Sequence, residues 1–188
     1  MSSSSLWNLP NALTVLRMAL IPVVVVFLLD DPDPESAVWS AGIFLGAMLT
    51  DLLDGYLARL WNQTSDFGAY LDPLADKLMV SAALIMLVPL GWIPAWLVFV
   101  LLAREMAITG LRGIASQRGL VLAAGTMGKI KTAFQSAALV ALLLHYEIWG
   151  IDMHTVGTLL LYVALFFSLS SATEYFALYI QAAKSGEE

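Results

Sequence analysis

Cysteine is absent from the 188 residues, which excludes disulfides, thiolate nucleophiles, zinc–thiolate sites and iron–sulfur clusters. Histidine is nearly absent too, His145 and His154 being the only two. Charge is scarce: charged residues make up 13% of the chain, against about 25% in soluble proteins. What fills the space is apolar. With 60% hydrophobic residues and a mean hydropathy of +0.80, a water-soluble fold would need a core apolar on every side and almost no solvated surface. Several apolar runs approach the ~20 residues that a helix needs to cross a bilayer. The first of them, within MSSSSLWNLPNALTVLRMALIPVVVVFLL, has no basic segment ahead of it and no small-residue cleavage site. It reads as a retained helix behind a short disordered tip at 1–5, not as a signal peptide. The net charge of −6 would ordinarily argue against an anionic partner, but it is a poor guide here because the charges are segregated; no nucleic-acid partner is expected.

Apolar windows and their breakers predict six helices, at 12–29, 36–61, 69–88, 93–117, 127–146 and 154–181. The breaks are DDPDPE (30–35), WNQTSDFG (61–68), PLGWIP (89–94), QRGLVLAAGT (117–126) and HYEIWGIDMH (145–154). Length and the lack of any repeat or linker predict one domain over 1–188, an all-α polytopic membrane fold with six transmembrane helices. The nine basic residues set its orientation. Arg17, Arg59, Lys77, Arg104, Arg112, Arg118, Lys129, Lys131 and Lys184 all fall toward the end reached from the N-terminus, the 2–3 loop, the 4–5 loop or the C-terminus. The other three loops carry no Lys or Arg, and two are acidic. The positive-inside rule therefore places both termini in the cytoplasm. Trp7 and Trp61 near one interface, with Trp39, Trp92, Trp96 and Trp149 near the other, agree with this.

The stretch LTDLLDGYLARLWNQTSDFGAYLDPLADKL holds five aspartates between Asp51 and Asp76, at the cytoplasmic ends of helices 2 and 3. Asp51 and Asp54 share one helical face, which Gly55 and Ala58 continue with small side chains; Asp72 and Asp76 share a face on the next helix. A short connector lets these helices pack as antiparallel neighbours, so the two pairs meet across a groove. An isolated aspartate within a membrane costs ~2.5–3.5 kcal/mol, and like charges add repulsion. Two divalent cations would cancel four carboxylates. Oxygen-only ligands suit Mg²⁺ or Mn²⁺, and a pair of such ions can clamp the attacking and leaving oxygens of a phosphoryl transfer. Taken singly, each aspartate also fits an interfacial charge or a partner for Arg59 or Lys77. Asp66 reads as a cap or loop residue. Both histidines lie at the far end of the helices, so acid–base work at this end falls to carboxylates.

These residues carry a resemblance. DLLDGYLARLWNQTSDFGAYLDPLAD resembles, without a gap, the signature of the CDP-alcohol phosphotransferases at Asp51, Asp54, Gly55, Ala58, Arg59, Gly68, Asp72 and Asp76. NLPNALTVLRMALIP, AREMAITGLRGIASQRG (103–119) and GKIKT (128–132) are similar to the bacterial branch whose acceptor is sn-glycerol 3-phosphate. The resemblance implies a six-helix enzyme of the bacterial inner membrane, typically a homodimer. Its two-metal site, holding Mg²⁺ or Mn²⁺, would open to the cytoplasm. It implies that Asp51 and Asp72 touch both metals, that Asp54 touches the first and Asp76 the second, and that Asp76 is the general base.

It further implies that CDP-diacylglycerol, the lipid donor, is held through Gly55, Ala58, Arg59, Ser65 and Gly68. Asn8, Asn11 and Thr14 lie near the nucleotide, although Asn11 and Thr14 fit helix capping equally well. An anionic acceptor needs a second basic pocket, for which Arg112, Arg118 and Lys131 are the candidates; lipid headgroups account for the same charges. Arg104 fits a pairing with Glu105 inside the bundle, and Lys129 an interfacial place. Inositol phosphate, serine, choline and a second phosphatidylglycerol react through the same signature, and the basic 4–5 region favours a phosphorylated acceptor. Two other classes compete. An intramembrane prenyltransferase would need more helices and two separated aspartate motifs. A cation transporter would need polar residues along a whole path, whereas VVVVFLL (23–29) and ALIMLVPL (83–90) are almost wholly apolar.

Overall fold

The computed structural model describes residues 9–29, 32–61, 66–119 and 125–185; for 9–10, 51–61, 66–67, 69–70 and 183–185 the description is of the backbone alone. Six helices account for nearly all of it: α1 (Leu9–Phe27), α2 (Pro34–Trp61), α3 (Asp66–Leu87), α4 (Ala95–Gln117), α5 (Thr126–Leu144) and α6 (Met153–Ser185). Their order and rough extents follow the apolar runs. Their ends follow local chemistry that those runs do not carry.

Pro34 opens α2 at the first helical position, where its missing N–H costs nothing. Asp33, just ahead of it, accepts a 2.9 Å hydrogen bond from the Ser36 N–H as a helix cap. Pro94 stays extended and delays α4 to Ala95, two residues after the predicted start. At the head of α6, Asp152 accepts hydrogen bonds from the His154 N–H (3.0 Å) and the Thr155 hydroxyl. Gly119 follows α4 with a φ of +71°, a conformation that costs glycine little.

One element was not anticipated. Within the break at 145–154 the chain forms a small hairpin, β1 (Glu147–Ile148) against β2 (Ile151–Asp152), paired Glu147 to Asp152 and Ile148 to Ile151. Trp149 and Gly150, at φ 53° and 77°, supply the two positive-φ positions of the favoured two-residue hairpin turn.

The helices pack unequally. α5 and α6 form the most extensive pair, α1 lies against both α2 and α3, α2 also meets α5, and α4 leans on α6. The α5–α6 contact depends on Gly157. A Cβ there would sit 2.8 Å from the Leu142 backbone nitrogen and 3.0 Å from the Ala138 carbonyl oxygen, so only glycine lets the helices come this close. One apolar core runs through Val24, Phe44, Leu84, Leu97, Leu139 and Leu161, drawn from all six helices.

Three loops meet at the end of the bundle remote from the signature aspartates. The Tyr146 hydroxyl donates to the Pro32 carbonyl at 2.5 Å. Trp92 stacks on His145 with ring centroids 3.7 Å apart, and His145 meets His154 edge-on at 4.9 Å. The 1–2, 3–4 and 5–6 connections are thereby tied into one cap.

Among the described residues, Thr126–Leu144 and Met153–Ala182 are long and apolar enough to cross a membrane, and Asn11–Phe27 is a shorter apolar helix. The apolar run of α4 is interrupted by Arg104, Glu105 and Arg112. Large apolar side chains face outward, Phe99 at 71%, Met106 at 76% and Phe166 at 67% exposure. That surface suits hydrocarbon better than water.

Candidate active site

The signature aspartates divide between two helices. α2 carries Asp51 and Asp54 in its final turns, together with Gly55, Ala58 and Arg59; their side chains lie outside the described residues, as do Asn8, Ser65 and the 1–5 tip. The structure therefore gives no account of how those five side chains meet α3. On α3, Asp72 and Asp76 stand one turn apart and half-buried, and Gly68 is buried near the helix start. α1 reaches this layer from the side: Asn11 and Thr14 are both buried, and the Thr14 hydroxyl donates to Asp72 Oδ1. That bond orients one carboxylate of the layer. Thr14 is thus engaged through its side chain by another helix and does not act as a helix cap.

Beside Asp76 opens a cavity of about 770 Å³. α4 lines it with a single face, Glu105, Ile108, Thr109 and Arg112, at the i, i+3, i+4 and i+7 positions. α5 supplies Gly128, Lys129, Lys131, Thr132 and Ser136, α3 supplies Pro73, Asp76 and Lys77, and Tyr175 of α6 closes one side. A narrower recess of about 60 Å³ continues from Asp76, Glu105 and Lys131 toward Leu101 and Gln135. The large cavity is polar at Asp76 and basic along α4 and α5, with apolar wall from Leu45, Met48 and Val140. Such a space can hold an anionic head and an apolar body side by side.

Its charges are organised around one carboxylate. Glu105 Oε2 accepts from the Lys131 ammonium at 2.6 Å and lies 3.4 Å from an Arg104 nitrogen. Arg104 in turn donates to the Ser168 carbonyl at 2.9 Å and to the Ser171 hydroxyl at 2.6 Å, which fastens α4 to α6. Lys77 donates to the Thr109 hydroxyl at 2.7 Å, and that hydroxyl donates to the Glu105 carbonyl at 2.8 Å. Lys131 is itself only 7% exposed, so its ammonium needs a counter-charge, which Glu105 provides.

The two arginines proposed from sequence separate here. Arg112 lines the cavity and lies over the Tyr175 ring at 6.0 Å. Arg118 is exposed at the end of α4, 5.9 Å from the Tyr179 ring, and is not among the described lining residues. Lys129, expected at the interface, is exposed but also reaches the cavity lining. Sequence reasoning missed Lys77, Thr109 and Tyr175. A helical-face count on α4 from Glu105 would have found Thr109; Tyr175 lies 99 positions beyond Asp76 and left no local signal.

Comparison with known proteins places the chain in a family. The family model described as CDP-alcohol phosphatidyltransferase matches residues 7–171. A Bacillus subtilis (strain 168) protein named CDP-diacylglycerol–glycerol-3-phosphate 3-phosphatidyltransferase is 43% identical, over 96% of this chain and 99% of its own length. A Rickettsia bellii protein of the same name is 36% identical over 90% and 93%. A Mycobacterium tuberculosis protein named probable phosphatidylglycerophosphate synthase is 36% identical over 90% and 80%.

Proposed function

We propose that this chain, which belongs to the CDP-alcohol phosphatidyltransferase family and is an enzyme, transfers the phosphatidyl group of CDP-diacylglycerol to sn-glycerol 3-phosphate, giving phosphatidylglycerophosphate and CMP. One observation carries the reading: Asp76 of the signature lines the same cavity as Lys129, Lys131 and Arg112. A carboxylate able to accept a proton thus faces basic groups able to hold a phosphorylated alcohol. Full-length relatives named for this donor and acceptor support the choice of substrates.

The oxygen-only donor set Asp51, Asp54, Asp72 and Asp76 suits two divalent cations, Mg²⁺ or Mn²⁺, and the Thr14 bond to Asp72 is the kind of outer contact that orients a ligating carboxylate. Bound there, the cations would offset charge on the diphosphate as CMP leaves. The chain's own groups do the rest. Asp76 takes the proton of the attacking hydroxyl. Arg112 and Lys131 hold the acceptor's phosphate, and Lys131 exchanges its Glu105 partner for that phosphate. Gly55, Ala58, Arg59, Ser65, Gly68, Asn11 and Thr14 line the way to the nucleotide. The apolar wall of the cavity takes the lipid side of the donor.

In this reading all six helices cross the inner membrane of a bacterium, both termini are cytoplasmic, the site opens to the cytoplasm, and the working unit is a homodimer. The segregation of basic residues toward one end supports that orientation. The decisive experiment is CMP release by purified protein in detergent with CDP-diacylglycerol and Mg²⁺ or Mn²⁺, each acceptor alcohol supplied separately. Release only with glycerol 3-phosphate is expected. Release with inositol phosphate or serine in its place would keep the reaction and overturn the acceptor.

A further inference from the structure

Arg17 takes no part in the reading above, yet it is 2% exposed and heads the fully buried side chains by volume. It is the only charged residue of α1. A buried guanidinium in an apolar bundle is costly unless opposite charge stands near it. Asn11, Thr14 and Arg17 are buried at successive turns of one α1 face, which Val24 continues, and α1 packs against both aspartate-bearing helices.

The register can be worked out. Thr14 meets Asp72 near the starts of α1 and α3, and the far halves of the same helices share the core through Val24, Leu84 and Leu87. The two helices therefore run in the same direction. One turn beyond Thr14 is Arg17, about 4.5 Å along the axis; one turn beyond Asp72 is Asp76, about 6 Å along. Arg17 and Asp76 come to the same level of the bundle.

We infer that Arg17 is a positioning residue whose guanidinium gives the aspartate layer of α2 and α3 a standing counter-charge, keeping the layer assembled while no divalent cation is bound. The inference rests on the two-cation reading of Asp51, Asp54, Asp72 and Asp76. Those four carboxylates with Arg17 carry three net negative charges; two divalent cations turn this into one net positive charge. Without Arg17 the empty layer carries four negative charges and the filled layer is neutral. Arg17 thus stabilises the empty state and opposes the filled one, a sign that packing alone does not produce.

The test compares Arg17→Gln with the unsubstituted protein in detergent, by thermal unfolding in EDTA and in saturating Mn²⁺, and by Mn²⁺ titration followed by electron paramagnetic resonance. The expected loss of Tm in EDTA is at least twice that in Mn²⁺. By linkage the variant then binds Mn²⁺ more tightly, by about tenfold. Equal losses in both buffers with unchanged Mn²⁺ affinity would reduce Arg17 to a packing residue. Failure of the unsubstituted protein to bind Mn²⁺ would instead remove the two-cation reading and this inference with it. Arg17→Lys, which keeps the charge, should bind Mn²⁺ within about twofold of the unsubstituted protein; a change beyond fivefold in that variant overturns the charge argument even if Arg17→Gln cannot be purified.

Discussion

In the proposed mechanism, two side chains lining the cavity divide proton transfer from acceptor binding. Asp76 should be needed for the chemical step and not for holding the lipid donor, whose nucleotide contacts lie elsewhere. Asp76→Asn is expected to lower turnover about 10²- to 10⁴-fold while CDP-diacylglycerol still binds, as read by equilibrium binding of a labelled donor. Near-normal turnover would take Asp76 out of the mechanism. Lys131 differs because it already has a partner at 2.6 Å. Lys131→Ala should raise KM for glycerol 3-phosphate roughly 10- to 100-fold, the range for a lost hydrogen bond to a charged group, with little change in the donor's KM. A donor-only effect would move the acceptor elsewhere. Asp76 was legible as a candidate because its motif is local and fixed in spacing. The Glu105–Lys131 pair was not, since it joins residues 26 positions apart on different helices, and nothing in the intervening sequence marks the encounter.

At the level of helices, the α5–α6 seam and the caps of α2 and α6 carry separate predictions. Gly157→Ala would press a methyl group onto backbone atoms within 3.0 Å and should cost about 1–3 kcal/mol, as overpacking commonly does. Gly42→Ala, with nothing within 4 Å of the added carbon, is the control, and thermal unfolding in detergent separates the two. The caps respond to acid. The Ser36 hydroxyl and backbone N–H bonded to Asp33, and the Thr155 hydroxyl bonded to Asp152, hold both carboxyls below their ordinary range. A depressed carboxylate stabilises the fold above its unfolded-state pKa and loses that contribution as pH falls through the folded value. The first turns of α2 and α6 should therefore lose amide-exchange protection, taken relative to the intrinsic rate at each pH, below about pH 4, and Asp33→Asn should remove that pH dependence at α2. Apolar periodicity located all six helices, but these caps shifted their ends, and the Trp149–Gly150 turn produced a hairpin where only a break was expected.

Across the whole molecule, the lack of cysteine that opened the sequence becomes an experimental advantage. Single cysteines can be introduced without removing any native one. Cysteines at Gly150 and Gly91 should react with a membrane-impermeant maleimide on intact cells, and cysteines at Ser116 and Ser185 only after the membrane is opened. The reverse pattern would invert the orientation, and a mixed pattern would change the number of spans. The charge distribution along the chain was enough to pose this test. The contact between the three loops at the far end was not, because the Tyr146 hydroxyl and the Pro32 carbonyl are 114 positions apart and neither residue type signals the other.

That far-end cap has a mechanical meaning. With its loops clasped at Tyr146–Pro32 and Trp92–His145, the bundle is built like a pair of tongs: riveted at one end, with the jaws at the other, where the cavity beside Asp76 lies. A hinge at that rivet would widen the jaws without loosening the clasp, a route by which a long-tailed substrate could slide in sideways and a small water-borne one arrive from the end. Cutting the rivet, as in Tyr146→Phe, would cost the tongs their grip far from where they bite.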